Sequence, residues 1–150
     1  MVTELWSGDG RRLGVYVDER EALVIDVSGL RGSTMPAGIE RIRSEAGTLD
    51  GRGGGAEGRG IRRRLQRAAY YASVVEAVEG ASRVMVYGPG WEARELYRVL
   101  LEDLRFAGAL QGLERTAPGA SEAELVEMVR DRLGEAVMVR AGSGAGRGNF

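Results

Sequence analysis

The sequence contains no cysteine and no histidine. The first absence removes disulfides, thiolate nucleophiles and zinc–thiolate centres together. The second removes the commonest general base and metal ligand at neutral pH, and with it serine–histidine triads and histidine metal sites. Lysine is missing too, so every basic residue is arginine. Arginine suits phosphate recognition, and a biased genome enriches it as well. No apolar run approaches the roughly 20 residues of a membrane span, and the opening "MVTELWSGDGRR" has no basic-then-apolar signal pattern. A cytosolic protein without membrane contact is expected.

The 150 residues, 43% of them hydrophobic, suffice for one compact domain with its own core. Because the net charge is −1, any affinity for nucleic acid must come from a local patch rather than from the whole molecule. One stretch supplies such a patch: "LDGRGGGAEGRGIRRRLQ", Leu49 to Gln66, dominated by glycine and arginine. The C-terminal "AGSGAGRGNF", residues 141–150, has too few apolar groups to offset its ordering entropy and reads as a flexible tail. This leaves a single domain over residues 1–140, with a mobile Gly/Arg loop at 47–60.

Hydrophobic periodicity orders the elements. Leu13–Val17 and Ala22–Val27 are rich in β-branched residues and flank the charged tetrad Asp18–Glu21, the pattern of a β-hairpin. Gly38–Ala46 is read as a third strand. From Ile61 the period changes: Ile61, Leu65, Ala68, Ala72 and Val75 fall on one stripe of a helix that runs to Glu79 and stops at Gly80. Arg83–Tyr87 reads as a buried strand leading through Gly88-Pro89-Gly90 into a helix over Trp91–Leu104, with Leu96, Val99, Leu100 and Leu104 inward. A strand at Ala109–Glu114 follows. The last helix opens on the capping box Ser121-x-x-Glu124, packs through Leu125, Val129 and Leu133, and ends at Gly134. This order predicts an α/β domain with a mixed sheet of about five strands, an antiparallel opening hairpin and parallel later strands, flanked by helices.

Each candidate for chemistry has a plainer reading beside it. Arg59, Arg62, Arg63 and Arg64 stand at the expected helix start, where cations meet the positive end of the macrodipole at a cost of roughly 0.3–1 kcal/mol each. Phosphates arriving from outside would account for that placement; a solvated loop with incidental arginines is the alternative. "YGPGWEAR", Tyr87 to Arg94, can cradle a phosphate or form a tight structural turn, and Glu92 at the helix start favours the turn. Asp18 and Asp26 can be read as a magnesium-binding carboxylate pair or as solvated hairpin acids; the second is preferred, and neither metal nor cofactor is expected. Tyr70 shares a face with Arg63 and Arg67, where it would either stack on a base or stand on the surface. Tyr71 belongs with the core.

"DGRGGG", Asp50 to Gly55, followed by the arginine-rich helix, a hydrophobic strand, the "GPG" turn and another amphipathic helix, resembles the middle domain of archaeal and eukaryotic peptide-chain release factors. The second half, "VMVYGPGWEARELYRVLLED" onward, resembles the uncharacterised bacterial relatives of that domain. The resemblance runs over about Leu13 to Leu133 and implies an RNase H-like fold. In the family, a Gly-Arg-Gly-Gly-Gln loop enters the peptidyl-transferase centre, and its glutamine helps place a water against the peptidyl-tRNA ester. Carried over, Arg52 matches the arginine, Gly53 and Gly54 match the two glycines, and Gly55 stands in the glutamine position. That departure removes the side-chain amide while keeping a backbone N–H, so the loop tip Gly53, Gly54 and Gly55 is not expected to hydrolyse efficiently. The resemblance implies a ribosome or structured RNA as partner, with Arg52, Arg59, Arg62, Arg63, Arg67 and Tyr70 as the contact set. Neither the stop-codon-reading domain nor the C-terminal partner-binding domain of full release factors has a counterpart here, so a protein partner would supply them. Two other readings stay open: residual peptidyl-tRNA hydrolysis or metal-dependent nuclease activity on the same fold, and a non-catalytic protein-interaction module.

Overall fold

The computed structural model describes residues 10–28, 38–44 and 56–134. Arg52, Gly53, Gly54, Gly55 and the 141–150 tail lie outside the described residues. Strands β1 (Arg12–Val17), β2 (Glu21–Asp26), β3 (Gly38–Arg43), β4 (Arg83–Gly88) and β5 (Leu110–Arg115) form one sheet in the order β3-β2-β1-β4-β5. The β2 strand runs antiparallel to β1 and β3, whereas β1, β4 and β5 pair in parallel. This is the expected RNase H-like mixed sheet with its antiparallel opening hairpin. The weakly patterned third strand is present as an exposed edge.

Three helices cover the sheet: α1 (Ala56–Val78), α2 (Trp91–Leu101) and α3 (Glu122–Val129). Side chains of β1 and β4 alternate between the two layers. Leu13, Val15, Val17, Val84 and Val86 pack with Val74 and Val78 of α1 and with Leu96 and Leu100 of α2. On the opposite face, Tyr16, Met85 and Tyr87 pack with Leu125 and Val129 of α3. Both strands therefore read as continuous apolar runs because both of their faces are covered. As expected, β4 has neighbours on either side, but β1 is the middle strand.

The element ends follow local chemistry. Ser121 Oγ accepts the Glu124 N–H at 3.1 Å and the Glu124 carboxylate accepts the Ser121 N–H at 2.8 Å, completing the capping box. After Val129 the chain widens into a π-turn over Arg130–Gly134 that carries Leu133 into the core. The α2 helix stops at Leu101, short of the expected Leu104. Asp103 is the reason: its carboxylate accepts the Arg105 N–H and caps a separate 3-10 turn, Leu104–Phe106. Phe106 then enters the core, while Leu104 and Val99 are exposed rather than inward.

The largest departure from the sequence reading lies in α1. It starts at Ala56, not Ile61, so residues 56–60 of the expected loop are helical. Its buried face is Tyr70, Tyr71, Val74, Val75 and Val78. Ile61 is 46% and Leu65 65% exposed, and Ala68 and Ala72 are exposed with them, so of the expected stripe only Val75 is buried. Length explains this. The 23 residues of α1 extend about 35 Å at 1.5 Å each, whereas a strand of 6 residues covers about 20 Å. The N-terminal half of α1 outruns the sheet.

Two glycines mark opposite packing regimes. A Cβ on Gly14 would lie 2.3 Å from Val129 Cγ2 and 3.1 Å from its Cβ, in the seam between β1 and α3. Gly58, in the overhanging half of α1, would meet nothing within 4 Å. Gly14→Ala is expected to destabilise by about 1–3 kcal/mol through overpacking, whereas Gly58→Ala should stabilise by about 0.4–1 kcal/mol. Urea titration of both variants checks the contrast.

Candidate nucleic-acid interface

The overhang of α1 is where the arginines are. Arg67 precedes Tyr71 by four residues and Arg63 precedes Arg67 by four, so both prolong the line of the buried face. Where that line leaves the sheet, tyrosine and valine give way to arginine. Arg63 and Arg64 are exposed and Arg62 is half-buried; Arg59 lies on the first turns of the helix. Because α1 begins at Ala56, Arg62, Arg63 and Arg64 sit past the first turn, beyond the reach of the macrodipole. The expected dipole repulsion is thus confined to Arg59. The electrostatic penalty that remains is like-charge spacing at i, i+4, worth about 0.2–0.5 kcal/mol per pair.

Arg67 is tied into the fold. Its Nε lies 3.5 Å from Glu95 Oε1 and its guanidinium 5.2 Å from the centre of the Trp91 ring, joining α1 to α2. Tyr71 donates to the same Glu95 oxygen at 2.9 Å. An open cleft of about 440 Å³ follows this seam, floored by Ala68, Ala72 and Val99.

Tyr70 is corrected from a base-stacking or surface residue to a core one. It is 5% exposed, stacks on Tyr71 at 5.5 Å between ring centres, and donates its hydroxyl to the Asp18 carbonyl at 2.9 Å. It does share the face of the arginines, but that face turns inward at Tyr70. The Tyr70 ring face is taken by Tyr71, so Tyr70 is not a stacking platform for an RNA base.

Asp18 and Asp26 do not form a pair. Asp18 follows β1 at the hairpin turn, while Asp26 stands opposite Leu13 at the far end of the same ladder. Each has structural duties. Asp18 accepts the Arg20 and Glu21 N–H groups and the Tyr16 hydroxyl, at 2.8, 3.0 and 2.7 Å. Asp26 accepts from the Ser28 N–H at 2.8 Å and from the Ser28 hydroxyl. Among the described residues no group of three or more potential ligands gathers around a metal position.

The Gly88-Pro89-Gly90 turn is built for packing. A Cβ on Gly88 would come within 2.6 Å of both Ala93 Cβ and the Val17 carbonyl. Glu92 is buried in the first turn of α2, and its Oε1 would lie 3.0 Å from a Cβ on Gly90. A carboxylate thus already occupies the positive end of the helix.

One arginine was missed. Arg43 ends β3 and, with Gln66, Ala69, Tyr70 and Ser73, lines a pocket of about 180 Å³ between that strand and α1. Only the weak pattern of the third strand pointed to it, and that pattern did not tell which helix face β3 would meet.

No protein-family model matches the chain, and no curated protein matches it in sequence. Among solved structures it is similar to the crystal structure of the Thermoplasma acidophilum Pelota protein, with a TM-score of 0.52 at 15% identity. The match covers 89% of this chain but 36% of Pelota. The shared property is the fold. Among the described residues no helix is long and apolar enough to cross a membrane.

Burial raises the pKa of Tyr16, Tyr70, Tyr71 and Tyr87 above the ordinary tyrosine value. After burial, the largest contributions come from the Asp18 hydrogen bond for Tyr16, the Asp18 charge for Tyr70, the Glu95 hydrogen bond for Tyr71 and the Glu114 charge for Tyr87. A pKa raised on folding means the unfolded chain releases these protons first. The stabilisation is therefore complete below about pH 10 and is lost as pH rises beyond it. Alkaline titration followed at 295 nm should show these four phenols ionising together with loss of ellipticity, not before it.

Proposed function

We propose that the chain is a ribosome- or RNA-associated domain of the release-factor middle-domain type that lacks efficient peptidyl-tRNA hydrolysis. The observation that carries this reading is the overhang of α1. A half-helix reaching past the sheet, with arginines continuing its core-facing line, offers cations on a helical arm to a partner larger than a metabolite. Two further lines support it. The Asp50–Gly55 loop that resembles the release-factor loop leads directly into this helix, and the fold is shared with Pelota, a release-factor-like translation protein. Gly55 in place of the glutamine argues against efficient ester hydrolysis. The match spans 36% of Pelota's own length, so the reading is confined to this one domain.

In this reading Arg59, Arg62 and Arg63, together with Arg52, neutralise RNA phosphates and do not select bases. Arg67, held by Glu95 and Trp91, acts mainly as the brace of the overhang. The triple variant Arg59→Gln, Arg62→Gln, Arg63→Gln should bind RNA less tightly, with the salt dependence of log K flattened by about 0.7–0.9 for each phosphate that is no longer neutralised. Its melting temperature should stay level or rise, because the two like-charge i, i+4 pairs Arg59–Arg63 and Arg63–Arg67 are relieved. In sucrose gradients the parent should travel with ribosomal subunits and the variant should remain at the top. A variant that sediments like the parent but melts at a much lower temperature would make these arginines structural and favour the interaction-module reading.

A further inference from the structure

The pocket between β3 and α1 sits one helical turn from Arg62 and Arg63, and it contains an oddity. Gln66 Oε1 is buried and has no hydrogen-bond partner among the described residues, although buried carbonyl oxygens are nearly always satisfied. Gln66, Ala69, Tyr70 and Ser73 follow one another at i, i+3, i+4 and i+7 and so share a single face of α1. Arg43 stands across from them on β3, exposed and without a carboxylate partner among the described residues. The result is a small recess with a hydroxyl and a cation at its rim and, buried in its Gln66 wall, an orphan acceptor that a ligand meets once that half-buried side chain turns outward.

From this juxtaposition we infer that the pocket receives one unstacked RNA base bearing an exocyclic amino group, with Arg43 on its phosphate. The inference rests on the RNA reading of the α1 overhang and adds a place where sequence is sensed. The volume of about 180 Å³ fits one ring system, since a cavity of about 150 Å³ accepts benzene. An orphan carbonyl calls for an N–H donor. Adenine, cytosine and guanine present an amino group, whereas uracil offers its N–H only between two carbonyls that would face Gln66 Oε1. Single-stranded RNA is commonly read in this way, by splaying out a base and bonding its edge. Arg62 and Arg63 precede Gln66 by four and three residues, about 6.0 and 4.5 Å along the helix, where neighbouring phosphates would lie.

Cytidine and uridine hexamers differ at the group that Gln66 would contact and match in size. With the full chain at low salt, the cytidine hexamer should bind roughly two- to tenfold more tightly in fluorescence anisotropy, the ratio expected of one hydrogen bond. Gln66→Leu should erase that preference without lowering the melting temperature, because it removes an unsatisfied buried carbonyl. Ser73→Phe, which fills the recess, should bring cytidine binding down to the uridine level. Equal binding of the two hexamers by the parent, or a preference that survives both variants, overturns the pocket. If that binding nonetheless disappears in the triple arginine variant, the RNA reading stands without the pocket. If neither hexamer nor ribosomal RNA binds, both readings fall.

Discussion

A helix of 23 residues laid across a sheet whose strands have 6 cannot bury its whole length, and this mismatch organises the molecule. The C-terminal half of α1 is held by the sheet through Tyr70, Tyr71, Val74, Val75 and Val78. The N-terminal half runs past the sheet and is steadied where Arg67 braces it against Glu95 and Trp91. An isolated helix of that half-length is marginal in water. Its order is therefore borrowed from the packed half, which fixes its direction.

The attachment of α1 depends on Asp18 as much as on apolar contact. Its carboxylate closes the β1–β2 turn through the Arg20 and Glu21 amides and holds the Tyr16 hydroxyl, while its carbonyl takes the hydroxyl of Tyr70. One residue thus joins the hairpin turn, the strand and the helix. Tyrosines suit this position because each brings a large apolar ring into the core and a polar end that must find a partner. An apolar seam alone would allow α1 to slide; a directional bond from Tyr70 to the turn sets where along the helix the overhang begins.

How much of this was legible in the sequence follows from which signals are local. The hairpin, the buried β4 and the Ser121–Glu124 box depend on neighbouring residues, and each was readable. The end of α2 was not: Asp103 caps a new turn only because Phe106 reaches the core behind it, and periodicity cannot see that. The face of α1 was missed for a related reason. Ile61, Leu65, Ala68 and Ala72 make a regular apolar stripe, yet regularity does not say whether a sheet lies underneath. The stripe that does pack, Tyr70-Tyr71-Val74-Val75-Val78, begins just where the arginines end. For the candidate site, the arginine cluster was visible in composition, whereas Arg43 needed the register of β3 against α1. Tyr70 was placed on the right face with the wrong surroundings.

The same mismatch gives the exposed apolar and basic residues a common origin. Helix-forming side chains are needed along the overhang to keep it helical, and leucine and arginine both serve. Arginines spaced at i, i+4 oppose each other, so a sequence selected for helicity alone would alternate them with acids, as the exposed faces of stable helices do. Between Ile61 and Tyr71 there is no acid at all. The opposing charge of Glu95 comes from α2 and meets Arg67, at the end of the cluster nearest the sheet. In the proposed role the repulsion within the series Arg59, Arg63, Arg67 is relieved when a phosphate seats against Arg63, so that binding and the firmness of the overhang rise together. The overhang is then a segment whose stability is completed by its ligand, and the sheet beneath its other half keeps it aimed until that ligand arrives.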